Sequence, residues 1–84
     1  MTRYIWKYVV SLSSETTVPL AGTIVHVGIQ SSWPMLWVEV DPSAEAVPRT
    51  FDVFGTGEPI PDGWQHRGTV QDGAFVWHVY ERQP

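Results

Sequence analysis

The chain has 84 residues, five basic against nine acidic side chains, a net charge of −4 and no cysteine. That balance opposes sequence-independent binding of DNA or RNA, which rests on Lys and Arg neutralising phosphates. The missing cysteines exclude disulfides and thiolate metal sites, so one domain over residues 1–84 has to draw its core from five Trp, three Tyr, three Phe and the aliphatic residues.

The acids (Glu15, Glu39, Asp41, Glu45, Asp52, Glu58, Asp62, Asp72 and Glu81) are scattered singly, as on an ordinary solvated surface. They do not form the charge array of a DNA mimic. Residues 1–14 lack the apolar run and cleavage site of a signal peptide, and no stretch approaches a membrane span. The expectation is therefore a soluble protein of a reducing cytoplasm, without a membrane role.

Residues alternate by twos and are rich in Val, Ile, Thr and aromatics, which predicts strands. The first covers about 3–12, with Tyr4, Trp6, Tyr8, Val10 and Leu12 on the core face. Residues 16–20 form a short edge strand, because Pro19 cannot donate to a ladder. A strand over 23–30 places Val25, Val27 and Ile29 on one face and Ile24, His26, Gly28 and Gln30 on the other. Ser31–Pro34 reads as a loop, and 35–41 as a strand with Leu36, Val38 and Val40 inward. The segment from Asp41 to Pro48 is a surface loop, with Ser43–Ala46 expected as one helical turn. A strand over 49–54 carries Phe51 and Val53 together.

Gly55–Gly63 reads GTGEPIPDG, a loop with three Gly and two Pro. Asp72–Gly73 between alternating runs predicts a two-residue hairpin turn. That turn pairs Gln71 with Ala74, Val70 with Phe75, Gly68 with Trp77, His66 with Val79 and Trp64 with Glu81. The core face is then Trp64, His66, Gly68, Val70, Phe75, Trp77 and Val79, with His78 on the opposite side. About six strands with short turns suggest an all-β, antiparallel sandwich or partly open barrel.

The three histidines do not build a metal site in this register, because His66 and His78 face opposite ways. His66 is expected to be partly buried, bonded to backbone or a carboxylate, with His78 at the surface near Arg67. The Gly55–Thr56–Gly57 turn could aim backbone amides at an anion, yet it lacks the spacing and the strand–loop–helix setting of a phosphate-binding loop. Common β connections also use such glycines at positive φ. No nucleophilic triad or carboxylate pair is legible, so no catalytic residue and no cofactor is assigned.

If Val25, Val27, Leu36 and Val38 point inward, then Ile24, His26, Met35 and Trp37 point outward. A small domain exposing Met and Trp together covers them with a partner, a ligand or its own loop. The alternative is a two-sided core beneath strand one or the 42–48 loop. Candidate partner- or ligand-contacting residues are therefore His26, Met35 and Trp37 on this face, and Gly55, Thr56, Gly57 and Glu58 in the loop.

The ordered segments Ile5-Trp6-Lys7-Tyr8, His26-Val27, Leu36-Trp37 and Val40-Asp41-Pro42 are followed by Phe51 through Gly55-Thr56-Gly57 and Pro59-Ile60. Gly68-Thr69-Val70-Gln71 and Val76-Trp77-His78-Val79-Tyr80-Glu81 complete the series. Over nearly the whole chain this resembles a family of small proteins encoded by bacteriophages and prophages. No activity is established for that family, so the resemblance carries over no site residue. The family more usually has His where Glu58 stands. The resemblance implies a phage-encoded, non-enzymatic protein that binds and inhibits a host protein, in particular a defence component. An oligomer sequestering a nucleotide or another small signal and a minor virion component are the alternative expectations.

Overall fold

The computed structural model describes residues 2–84. It contains seven strands: β1 (Tyr4–Val9), β2 (Thr16–Leu20), β3 (Gly22–Gln30), β4 (Trp33–Val40), β5 (Val47–Gly55), β6 (Trp64–Asp72) and β7 (Phe75–Arg82). They form a three-stranded sheet in the order β1-β4-β3 and a four-stranded sheet in the order β2-β5-β7-β6, every pair antiparallel. The sheets stack as an open sandwich and do not close into a barrel; the thin dimension is 17 Å. The all-β expectation holds. No helix among the described residues is long and apolar enough to cross a membrane.

Ser43–Ala46 does not form the expected helical turn. The Asp41 carboxylate instead accepts from the Ser43 backbone N–H at 2.9 Å and the Ser43 hydroxyl at 2.7 Å. The Ala44 N–H donates to the Asp41 carbonyl at 3.1 Å. A short acid that captures its own backbone competes with the helix start. The hydroxyl first, and then the amide, hold this carboxyl below its ordinary range.

The core draws on both sheets: Leu36, Val38 and Val40 from β4 meet Leu20, Phe51, Val53 and Val79 from the other sheet, with Val10 between elements. Each such aliphatic side chain contributes about 1.5–3 kcal/mol on leaving water. Tyr8 packs against this cluster, but Tyr4 and Trp6 on the same side of β1 remain about half exposed. They belong to the edge strand β1. β1 ends at Val9, the buried Val10 donates its N–H to the Pro34 carbonyl at 2.9 Å, and Leu12 lies exposed in the following turn.

Two β-bulges overturn the simple alternation. The first shifts the β3–β4 register between Ile24 and His26. Val25 is pushed out to solvent, while Ile24 turns in against the core with Val27. The second shifts β6–β7 between His66 and Gly68. The hairpin itself turns one residue later than expected: Asp72 pairs with Phe75, Gln71 with Val76, Val70 with Trp77 and Gly68 with Val79. Only Gly73, the first of the two loop residues, has a positive φ (58°), as a type II′ turn requires. This displacement keeps Gly68, Val70, Trp77 and Val79 on the inner face, while Phe75, expected in the core, shares their side but lies 61% exposed beside the turn. Beyond the bulge, His66 pairs with Tyr80, Gln65 with Glu81 and Trp64 with Arg82, so Trp64 and His66 stand on the outer face.

β3 and β4 are joined by a two-residue turn at Ser31–Ser32, with Gln30 paired to Trp33, so β4 starts earlier than the expected loop allows. Both serines hold positive φ, 52° and 66°. L-residues other than Gly, Asn and Asp resist that region by about 1–2 kcal/mol each, and two-residue turns favour Asn-Gly there. Replacing Ser31 by Asn and Ser32 by Gly is expected to raise the thermal midpoint by roughly 5 °C, about 1 kcal/mol for a domain of this size. Calorimetry that found no gain would contradict the strained-turn account.

Candidate functional site

The outer face of the β1-β4-β3 sheet carries three of the expected contact residues. His26 is exposed and lies against Trp37, ring centroids 5.3 Å apart. Both lean over Gly28, where a Cβ would sit 2.8 Å from His26 Nε2 and 3.2 Å from the Trp37 ring. Met35 is on the same face yet only 5% exposed. Lys7 on β1 donates to the Gln30 side chain on β3 at 2.7 Å, and the register places Met35 between them. The face thus covers Met35 with its own side chains, and β1 lies beside β4 in the sheet with only its Lys7 side chain reaching across. Ile24, expected here, is the residue the first bulge turns inward. What stays about half exposed is the periphery: Ile5 and Val9 of the edge strand and Trp33.

The 56–63 loop joins β5 to β6, which flank β7 on either side and run parallel. It therefore returns along the sheet. The bond between the Thr56 hydroxyl and His78 Nε2, 2.9 Å, places its start on the outer face. The Gly55 N–H donates to the Glu58 carboxylate at 3.0 Å and the Glu58 N–H to the Gly55 carbonyl at 3.1 Å. The loop closes on itself there, and a carboxylate holds one amide that an anion would need. Gly57 takes a positive φ of 92° in open space.

Contrary to the expected opposition, His66 and His78 share one face, their ring centroids 6.5 Å apart. The Thr69 hydroxyl lies 2.9 Å from His66 Nε2 and 3.0 Å from His78 Nδ1. Thr56, His78, Thr69 and His66 thus form a continuous hydroxyl–imidazole chain. His66 is the exposed ring and His78 the half-buried one, the reverse of the expected order. Phe54 lies beside them, 8% exposed, with Trp64 and Tyr80 set edge-on at 5.9 and 5.5 Å. No group of three His, Cys, Asp or Glu side chains suited to a metal ion occurs among the described residues.

The same bulge that turns His66 out turns Arg67 toward Glu81. Glu81 faces inward opposite Phe51 and is 6% exposed. Arg49 donates to it through Nε (2.6 Å) and Nη2 (2.8 Å), and Arg67 through Nε at 2.8 Å. Arg49 Nη1 also donates to the Gly22 carbonyl at 3.0 Å, tying the two sheets together. The Arg49 bonds above all, and then the one from Arg67, hold the Glu81 carboxyl below its ordinary range against the opposing effect of burial. The guanidinium of Arg49 is raised in turn by Glu81.

This architecture coincides with a family match over residues 1–84 to a domain of unknown function, DUF7352. The chain belongs to that family. No curated protein and no solved structure matches it. Within this DUF7352 fold the Arg49–Glu81–Arg67 cluster is the feature sequence reasoning missed. Glu81 occupied an expected inward position opposite Trp64, which was a signal that an inward acid needs a cationic partner.

Proposed function

We propose that this chain is a non-enzymatic binding protein, encoded by bacteriophages or prophages, that attaches to a host protein and inhibits it. The target we propose is a component of bacterial defence, in the host cytoplasm. The observation that carries the reading is the open edge of β1. Its outward backbone groups pair with no strand, and Tyr4, Ile5, Trp6 and Val9 are each about half exposed on its two sides. Edge strands are ordinarily protected by charge or Pro, because an unpaired apolar edge recruits another strand. The only charged residue in Tyr4–Val9 is Lys7, and it is engaged with Gln30.

Such an edge fits an extended segment of a partner, with main-chain bonds giving affinity and side-chain pockets giving choice. Tyr4 and Trp6 stack at 6.4 Å, and an apolar recess of about 160 Å³ beside Trp6, Tyr8, Pro19 and Val40 has room for one partner side chain. The Thr56–His78–Thr69 array sets a hydroxyl against an imidazole, but no described carboxylate bonds either ring. That favours binding over catalysis.

The test compares tagged wild type with an Ile5→Lys/Trp6→Glu double variant in capture from a bacterial host lysate. Wild type is expected to retain a host protein that the variant recovers about tenfold less well, a loss of about 1.4 kcal/mol. Both forms are expected to melt alike, since both side chains are half in water. Equal recovery of the same proteins sinks the reading. So does a wild-type dimer that the variant converts to monomer, because a second copy would then occupy the edge.

A further inference from the structure

We infer that the recess between the start of β3 and the Arg49–Arg67 pair is a binding site for a small molecule bearing a phosphate group. It is lined by Gly22, Thr23, Ile24, Arg49, His66 and Arg67, and its volume is about 360 Å³. That lies in the range of small-ligand pockets, about 300–1,000 Å³. It is separate from the β1 edge and draws on neither the 56–63 loop nor the Met35 face.

Charge is the first argument. Two guanidiniums meet a single carboxylate, so the cluster carries one surplus positive charge in a chain of net charge −4. Arg49 alone already satisfies both oxygens of Glu81 with a two-pronged fork. Arg67 spends only its Nε on that acid, and both of its Nη groups are free of any described partner. No carboxylate among the described residues lines the recess. A second arginine is not required to neutralise Glu81, yet the β6 bulge turns one toward it. Bulges of this kind re-aim side chains beside functional sites.

Ligand geometry is the second argument. Arg67 offers two free Nη groups, and Arg49 keeps further N–H groups on its two Nη atoms. Free N–H groups on two guanidiniums lining one recess suit a tetrahedral anion with three accepting oxygens. A flat carboxylate is fully served by a single fork. Glu81 fixes both arginines before a ligand arrives, which lowers the ordering cost of binding.

The experiment uses the full chain and inorganic pyrophosphate, followed by amide NMR at constant ionic strength. Millimolar pyrophosphate is expected to move the resonances of Thr23, Arg67 and Gly68 in a saturable way, while matched sodium chloride leaves them in place. Arg67→Met keeps the Arg49–Glu81 fork and is expected to weaken binding about tenfold or more, the scale of a lost charge-assisted pair. Arg67→Lys, which keeps a cation beside Glu81 but loses both Nη groups, is expected to weaken binding several-fold and carries the test if Arg67→Met folds poorly. Absence of saturable shifts overturns the proposal, as does a response in both variants equal to wild type. A response to acetate as large as that to pyrophosphate overturns the assignment to phosphate.

Discussion

Glu81→Gln is expected to melt about 10–20 °C below wild type at neutral pH, a loss of about 2–3 kcal/mol. Removing one partner from a buried ion cluster leaves the others uncompensated, and fully buried cases cost about 3–5 kcal/mol. Here the arginine side chains keep 20% and 29% of their exposure, so water recovers part of that cost. The neutral amide also accepts weaker bonds than the carboxylate and turns two donors toward Arg49 and Arg67, which have no acceptor to offer.

The pH dependence follows from the direction of the shift. The folded Glu81 carboxyl lies below its ordinary value of 4.5, held there by Arg49 and Arg67. Its contribution is therefore complete above that ordinary value and disappears as the pH falls through the folded one. The gap between wild type and Glu81→Gln is expected to be constant near neutrality and to narrow in acid below 4.5. Thermal melts across that range provide the check. A variant as stable as wild type at pH 7, or a gap that widens in acid, would contradict the assigned role of the cluster.

Gly68→Val is expected to destabilise the fold by about 3 kcal/mol, the upper end for overpacking. A Cβ at Gly68 would lie 2.6 Å from the Val27 Cβ and 2.8 Å from its Cγ2. The obstacle is steric, because Gly68 does not take a positive φ. It marks the point where β6 presses against β3 of the opposing sheet. The expected hairpin pairing sets Trp77 opposite this glycine. Val79 is the actual cross-strand neighbour, and Val27 the side chain in the way. Adding Val27→Ala is expected to return more than 1 kcal/mol of the loss, beyond simple additivity. Denaturant titrations of the two single variants and the double variant measure this. Strict additivity would mean that the two residues do not meet.

Much of this molecule is readable from alternation and turn chemistry. Phe51 and Val53, and Leu36, Val38 and Val40, lie inward as their spacing demands. Pro19 lies on the edge strand β2, where its missing N–H costs no ladder bond. The hairpin turn was displaced by one residue, but between the turn and the bulge that moved each pairing by two positions along the partner strand. Side-chain parity therefore survived for Gly68, Val70, Trp77 and Val79. The Ser31–Ser32 turn carried no signal, since neither Gly nor Asn marks its positive φ values.

The candidate sites depend on steps that alternation does not record. A bulge adds one residue to one strand and reverses every side chain beyond it. At Val25 the reversal replaces a valine in the core by Ile24, leaving an equally apolar pattern. At Arg67 it exchanges a histidine for an arginine, and the compensation comes from Glu81, fourteen positions away in the chain. Local sequence thus determined that these segments are strands and that most of the aliphatic residues are at least partly buried. Only the tertiary structure decided which side His66 and Arg67 face, because that choice rests on an ion pair and a sheet contact formed between distant residues.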